Sequence, residues 1–499
     1  MTKGSDLHTS PPPDSPRSHG SWGELLGARH RKAAVVLAGG VGLYATNVFL
    51  MTSLLPGAVA DIGGDRFYAW VTTVFLLASV ISSSLVSTLL PRLGARGAYF
   101  AALGSFAVGT AVCALAPAMP VLLAGRFVQG LGGGLLSGLG YALIRSLLPE
   151  RLWPLGTALV SGMWGLGTFL GPAVGGAFAQ FDLWRGALWA LLAATALVGA
   201  VVPLAVPAAR AAGADGAGAG VPPAAAPLTV GLLLAGVLLV ALGNVLGSGG
   251  APAVLLPAAA VVLVLALAHD RRRGGRVLPR SAFRLRSPLP WCYAGIALLA
   301  VASQIEAFVP LFGQRLAGLA PLLAGFAGAA IALGWTLGEI PSAVLARPAV
   351  RSVVASAAPL LVTAGFLAAG LWSGHGMGGG AVLGWVCALL VGGAGIGIAW
   401  PHLATRVMGG GASEEEGETA AAAINTVQLV ANAVGSAVAG VLVRLGGPDT
   451  AGQARLSLCG IGLAGVLGAW CVWRGTAAWR RTADAVPGGT AAGPPAPAP

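Results

Sequence analysis

Charged side chains are scarce in this chain, making up 9% of its 499 residues, against about 25% in a soluble domain. A soluble fold of this length needs a charged exterior, so the deficit excludes a string of soluble domains. Lysine is nearly absent: Lys3 and Lys32 are the only two among 29 cations. The five cysteines (Cys113, Cys292, Cys387, Cys459, Cys471) all lie in apolar runs at no metal-like spacing, which argues against a disulfide framework or metal site. There is no HExxH, no CxxC pair and no phosphate-cradling GxxxxGK[ST]. With no soluble catalytic domain either, the sequence gives no case for an enzyme, an ATP-driven pump or a cofactor. The first 32 residues hold no apolar core before a small-residue cleavage site, so no cleaved signal is expected.

What is present is hydrophobicity. Residues AVILMFWYC make up 56% and mean hydropathy is +0.81. A bilayer-crossing helix needs about 20 mostly apolar residues, and fourteen runs qualify: 33–56, 68–90, 97–117, 120–146, 154–179, 184–206, 228–247, 251–268, 288–312, 320–343, 352–373, 379–404, 419–443 and 455–474. The net charge of +12 suggests nucleic acid in a soluble protein, but here the arginines sit in short loops between apolar runs. With the N-terminus inside, 23 cations fall on the cytoplasmic side and 5 outside, which predicts both termini in the cytoplasm under the positive-inside rule. That parity holds equally for twelve spans, if the pair within 228–268 does not cross.

The expected organisation is a disordered tail (1–32), a six-helix bundle (33–207), a cytoplasmic linker (208–227) and two extra spans (228–269). A basic loop (270–287), a second six-helix bundle (288–475) and a disordered tail (476–499) follow. This is an all-α polytopic membrane protein, six plus six around two central spans, and such pairs of halves suit alternating access. Its partners are a small-molecule substrate and the bilayer, with no nucleic acid, and the expected setting is a monomer in the plasma (inner) membrane.

The fourth run reads LLAGRFVQGLGGGLLSGLGYA and places Arg126 inside an apolar helix. A cation there costs about 2.5–3.5 kcal/mol on insertion scales. It therefore faces a cavity or partner, or else snorkels to the headgroups; Gln129 is a second polar group at that depth. The fifth run, SGMWGLGTFLGPAVGGAF, carries Gly165, Gly167, Gly171, Pro172, Gly175 and Gly176. Such a helix permits close packing and bending, or serves as ordinary small-residue packing.

Together the two runs resemble the major facilitator superfamily. RFVQGLGGG matches its fourth-span motif R-x-x-Q-G-x-G, with Arg126 at the position associated with proton coupling. GLGTFLGPAVGG matches its antiporter motif G-x-x-x-G-P-x-x-G-G at Gly167, Gly171, Pro172, Gly175 and Gly176. The span count, Trp184–Arg185 and RVLPRSAFRLR point to the fourteen-span drug:proton antiporter branch. The resemblance runs over roughly residues 33–475 and implies a proton-coupled antiporter exporting drugs, antibiotics or endogenous metabolites. Two positions depart from it. Pro91 stands where the family's loop after span two carries an aspartate of an inter-half charge lock, and Asn47 stands where the branch has an acidic residue nine positions before Pro56.

If proton coupling occurs, its carboxylate must lie elsewhere, and only Glu306 and Glu339 of 17 acidic residues fall inside predicted spans. Burial disfavours a carboxylate's charge, so a group alternately exposed to the two sides could carry a proton. Glu306, beside Ser303 and Gln304, is the first candidate, the alternative being an outer-side structural contact. Glu339 is the second; for it a pairing with Arg347 or Arg351 at the inner edge is the stronger alternative. His402 reads as a loop-edge histidine, Glu414–Glu418 as a solvated loop, and Asp61 as an outer-loop residue. Asn47, Tyr44, Gln129, Trp164, Gln304, Phe308 and Trp335, with Phe312 and Trp400, are candidates for the cavity wall, where aromatic faces suit cationic amphiphiles. A proton-independent facilitator of a nutrient or metabolite is the alternative function.

Overall fold

The computed structural model describes residues 20–64, 67–206, 227–245, 251–345, 347–411 and 413–484. The expected linker lies almost wholly outside them. A short helix, α1 (Trp22–Leu25), precedes α2 (Arg31–Ile62), α3 (Tyr68–Ser84), α4 (Val86–Ala114), α5 (Met119–Leu147), α6 (Trp153–Ala179) and α7 (Trp184–Ala205). The central pair is α8 (Pro227–Val245) and α9 (Ala251–Arg272). The second half comprises α10 (Leu289–Ser303), α11 (Val309–Ala317), α12 (Pro321–Gly328), α13 (Ala330–Ser342), α14 (Pro348–Trp372), α15 (Gly379–Gly409), α16 (Glu414–Leu445) and α17 (Thr450–Asp484). No strand occurs among the described residues.

Twelve described helices are long and apolar enough to cross a bilayer. Of the fourteen expected runs, the two that do not reach that length are the second and the seventh, which form the shorter apolar helices α3 and α8. The second run has a local cause. Phe75, Ser79 and Ser83 meet Gly130, Gly134 and Gly138 in rising order, so α3 runs parallel to α5. Phe106, Gly109 and Cys113 meet Gly132, Gln129 and Gly125 in falling order, so the later part of α4 runs antiparallel to it. The chain therefore reverses inside α4, at Gly94, whose backbone (φ 67°, ψ 167°) is non-helical and lies in the left-handed range that glycine tolerates. Beyond the reversal, Arg96 donates to the Val206 (3.0 Å) and Pro203 (2.7 Å) carbonyls at the end of α7, a favourable place for a cation.

Three expected loops carry structure. Within the tail expected to be disordered to residue 32, α1 is capped by Ser21, buries Leu25 and ties Glu24 to Arg151 (2.6 Å). The basic loop begins with the last turn of α9 and contains a 3-10 turn, Arg280–Phe283. Glu414, Glu415 and Glu416 form the first turn of α16 under a Ser413 cap, where acidic residues complement the helix dipole. At the far end of α17, the helix continues to Asp484, past the expected boundary at 475.

The ninth and tenth expected spans are each broken. A 3-10 turn, Gln304–Phe308, separates α10 from α11, and Ala329 separates α12 from α13. The breaks adjoin, since a Cβ on Gly328 would lie 2.9 Å from Pro310 Cγ. A mid-span 3-10 stretch such as Gln304–Phe308 often marks a hinge or a strained sequence.

Candidate functional site: two buried polar clusters and the seam between the halves

The first cluster lies inside the N-terminal half. Arg126 on α5 is 1% exposed. Its Nη1 donates to Gln129 Oε1 (2.7 Å) and Asn47 Oδ1 (3.3 Å), and its Nε to the Val71 carbonyl (3.2 Å). The guanidinium stacks over Phe75 at 4.1 Å, and Gln129 donates onward to Thr110 (2.8 Å). No carboxylate pairs with Arg126 among the described residues. Neutral acceptors and an aromatic face hold the cation, so Arg126 does not snorkel. Tyr44 stacks on Phe75 (5.5 Å) and meets the edge of Trp164 (5.3 Å). The structure thus brings Tyr44, Asn47, Arg126, Gln129 and Trp164 together.

The antiporter-motif glycines explain how α6 closes on this cluster. Gly167, Gly171 and Gly175 recur every four residues and face Ala45, Phe49 and Ser53 of α2, which share that spacing and hence one helix face. A Cβ on Gly171 would lie 2.4 Å from Phe49 Cβ, so the helices approach backbone to backbone. Gly176 has no neighbour within 4 Å of a built Cβ, and Pro172 is exposed. Three of the four glycines of the resemblance are therefore packing contacts.

The second cluster lies on the seam between the halves. Glu339 on α13 is fully buried, and its Oε2 accepts from Trp335 Nε1 (3.0 Å). The same indole N–H reaches Ser161 Oγ on α6 (3.0 Å); Glu339 Oε1 has no partner. The expected alternative pairing with Arg347 or Arg351 is not found, because Glu339 points into the seam. Trp335 packs on Trp400 (5.0 Å), whose Nε1 donates across the seam to Tyr141 (3.1 Å). His402 is a buried residue within α15, 2.8 Å from Ser342 Oγ.

Glu306 is elsewhere, in the 3-10 break, part-buried and with no hydrogen bond or ion pair among the described residues. Beside it Gln304 donates to Asn432 (3.1 Å), and Phe308 stacks with Phe312 (6.5 Å). Asp61 is no loop residue: it lies in the last turn of α2 and accepts from Arg185 and from Trp184 Nε1 (3.2 Å).

Sequence reasoning missed the rest of the seam. Ser137 donates to Asn425 Oδ1 (2.5 Å), Asn425 Nδ2 to Ser83 (2.8 Å), and Ser83 shares a hydrogen bond with Thr426 (3.2 Å). Arg145 donates to the Met408 carbonyl. The signal was there: Asn425, Thr426, Gln428 and Asn432 interrupt one apolar run. Every described side-chain hydrogen bond between the halves lies toward the end of the bundle that holds Arg145, Arg151 and Arg406, here called the basic end.

Two helical halves meeting on a polar seam, with ionisable groups buried in apolar spans, form the architecture of a polytopic membrane protein. The sequence profile of the Major Facilitator Superfamily matches residues 37–436, and the chain belongs to that family. It is similar to the Mycobacterium tuberculosis protein named "Probable multidrug-efflux transporter Rv1634", with 46% identity over 85% of this chain and 90% of the relative. In fold it resembles the human organic anion transporter MFSD10 (TM-score 0.63, 18% identity, 89% of this chain and 99% of that one). It also resembles the proton:xylose symporter XylE (TM-score 0.63, 14% identity, 89% and 95%).

Proposed function

We propose that the chain is a proton-coupled antiporter that exports hydrophobic or amphipathic small molecules, with Glu339 as its principal coupling carboxylate and Glu306 as a second proton site on the opposite side. One observation carries the reading: a fully buried carboxylate on the seam, one oxygen held by Trp335 and the other bare. A proton taken up on the bare oxygen discharges Glu339 and weakens the hydrogen bond from Trp335, the residue that also grips Ser161 in the other half. Charge-assisted hydrogen bonds contribute about 1.5–3 kcal/mol and neutral ones about 1 kcal/mol. Protonation thus removes the buried charge that competes with Ser161 for the one indole N–H and resets the balance at the basic end, which is the cytoplasmic end under the positive-inside rule. The geometry described, fastened at that end, is the outward-facing state, in which substrate leaves and the proton enters. Arg126 supplies a fixed positive charge that keeps the N-terminal half free of a competing proton site.

The unit is a monomer in the plasma membrane with fourteen crossings and both termini in the cytoplasm. Supporting the crossings, Val86–Leu93 extends α3 up to the reversal at Gly94, and α8 pairs with α9 along the bundle. Similarity to a protein named a probable multidrug-efflux transporter supports efflux of several drugs.

In inside-out vesicles, a pH gradient should drive uptake of a cationic dye, and Glu339→Gln should abolish that uptake while leaving dye counterflow intact. Gradient-driven uptake unchanged in Glu339→Gln removes the carboxylate from the mechanism. Asn47, in place of the branch's acidic residue, favours a second reading, a proton-independent facilitator. Dye uptake that needs no pH gradient and ignores both a protonophore and Glu339→Gln selects it.

A further inference from the structure

The central pair is fastened to both halves. On α8, Val237 is buried between Tyr44, Phe75 and Val80 of the first half and Leu429 of the second. Toward one end, Val230 and Leu233 pack with Ile81 and Leu85; toward the other, Val240 and Ala259 pack with Ala437. The pair therefore lies over the line where α3 meets α16.

At the basic end the chain leaves α9 in a hook. Asp270, 1% exposed, accepts from the backbone N–H groups of Arg276 (3.0 Å) and Val277 (3.1 Å) on Oδ1 and of Leu278 (2.9 Å) on Oδ2. The tight reversal uses Gly274 (φ 92°) and Gly275 (φ 71°), where a side chain would be strained. Ser87 donates to the Arg276 carbonyl (3.2 Å), and Val277 joins the apolar cluster with Ile81 and Leu85. These contacts hold the hook to the first half. Four residues after Val277, Ser281 donates from its backbone N–H (2.7 Å) and its hydroxyl to Glu416 Oε1 on α16, which belongs to the second half. A cavity of about 480 Å³ lies beneath, lined by Ser87, Pro91, Gly274, Glu416, Thr419 and Ala422.

We infer that α8, α9 and the hook to Ser281 form a strap across the α3–α16 side of the cleft, with Ser281–Glu416 as its releasable fastening. Separation of α3 from α16 at the basic end must break one anchor. The first-half anchor combines apolar burial with a hydrogen bond, and exposing Val277 alone costs about 1.5–3 kcal/mol. The Glu416 anchor is made of hydrogen bonds to a carboxylate beside a cavity, so water can take the place of the Ser281 donors as it parts. No solvent contact replaces the buried apolar surface of Val277. The strap also stands where the sequence lacks the aspartate of the family's inter-half lock, at Pro91. The inference rests on the alternating movement of the halves proposed above, but not on the coupling ion.

The test uses full-length protein in which the five native cysteines are replaced and which still exports ethidium from proteoliposomes. Ser281→Cys/Glu416→Cys, oxidised with copper phenanthroline, should lose ethidium export and counterflow in proportion to the cross-linked fraction. Dithiothreitol should restore both, and the single-cysteine variants should be indifferent to oxidant. Full transport by the cross-linked protein overturns the strap. Independently, an Ala422→Cys reporter should react several-fold faster with an impermeant maleimide at the basic end when combined with Glu416→Ala. It should not do so with Glu416→Gln, whose amide oxygen still accepts from Ser281; an unchanged rate in Glu416→Ala overturns the strap as well. A starting protein unable to move any amphiphile would sink the proposed function, and the labelling rates would still decide the strap.

Discussion

Gly171 and Gly176 belong to one motif, and the structure predicts opposite consequences for giving each a methyl group. At Gly171 the added carbon lies 2.4 Å from Phe49 Cβ and 2.8 Å from the Leu50 nitrogen. Carbon atoms rest at about 3.5–4.0 Å, so α2 and α6 must part by about 1 Å against backbone, with no flexible side chain to yield. Overpacking of this kind costs about 1–3 kcal/mol. Because α2 carries Asn47 and Tyr44, the shift also disturbs the Arg126 cluster. At Gly176 a built Cβ meets nothing within 4 Å, and alanine is favoured over glycine within a helix by up to about 1 kcal/mol. Thermal unfolding of the detergent-purified protein, followed by light scattering or tryptophan emission, should show Gly171→Ala unfolding earlier than wild type. Gly176→Ala should unfold at the same temperature or later. Dye efflux should fall in the first and persist in the second. Equal losses in both variants would show that the motif acts through something other than the α2–α6 contact, and the packing argument would fail.

Arg126→Lys keeps the charge but loses the fork that reaches Val71, Asn47 and Gln129 at once. Loss of one or two charge-assisted bonds of about 1.5–3 kcal/mol each should lower transport at least tenfold at unchanged expression, measured by dye efflux. Asp270→Asn leaves one acceptor oxygen for three backbone donors, and should cost about 1–3 kcal/mol and speed proteolysis between Arg271 and Arg280. The hydrogen bond from Arg151 holds the Glu24 carboxyl below its ordinary range. A carboxylate lowered in the folded state supports docking of α1 above the ordinary range, and that support is lost as pH falls through the lowered value. A fluorophore on Gly23→Cys should therefore report undocking only under acid conditions, with Glu24→Gln undocked and flat across the same range.

Much of this was legible in one dimension because the bilayer permits few solutions. Apolar runs marked the helices, and arginines in short loops distinguished one end from the other. An arginine within an apolar helix stood out because burial makes it expensive. The breaks were less legible. Gln304–Phe308 reads as one apolar run with its neighbours, and only the packing of Pro310 on Gly328 brings the breaks of the two spans together. The reversal at Gly94 was expected as a loop and emerged as one residue, since glycine can turn the chain without leaving helix on either side. The hook after Asp270 left no periodic trace: seven arginines between 270 and 287 mask a single acidic residue that satisfies three backbone donors.

The seam was the least legible feature, for a reason that bears on how it works. Ser83, Ser137, Ser161, Tyr141 and Asn425 carry no charge, and each is unremarked in a helix until its partner from the other half is known. Five neutral hydrogen bonds cross between the halves through them. At about 0.5–1.5 kcal/mol net each, they hold the basic end with only a few kcal/mol in total. A buried ion pair in the same place would strand charge whenever the halves part, at a cost of about 3–5 kcal/mol. The uncharged Pro91 is consistent with that economy, since it leaves no carboxylate at the basic end to be stranded. Two ionisable side chains join these neutral ones: Arg145, which donates to the Met408 carbonyl at the basic end, and the buried Glu339. Under the proposed function it is the second whose charge a proton would change.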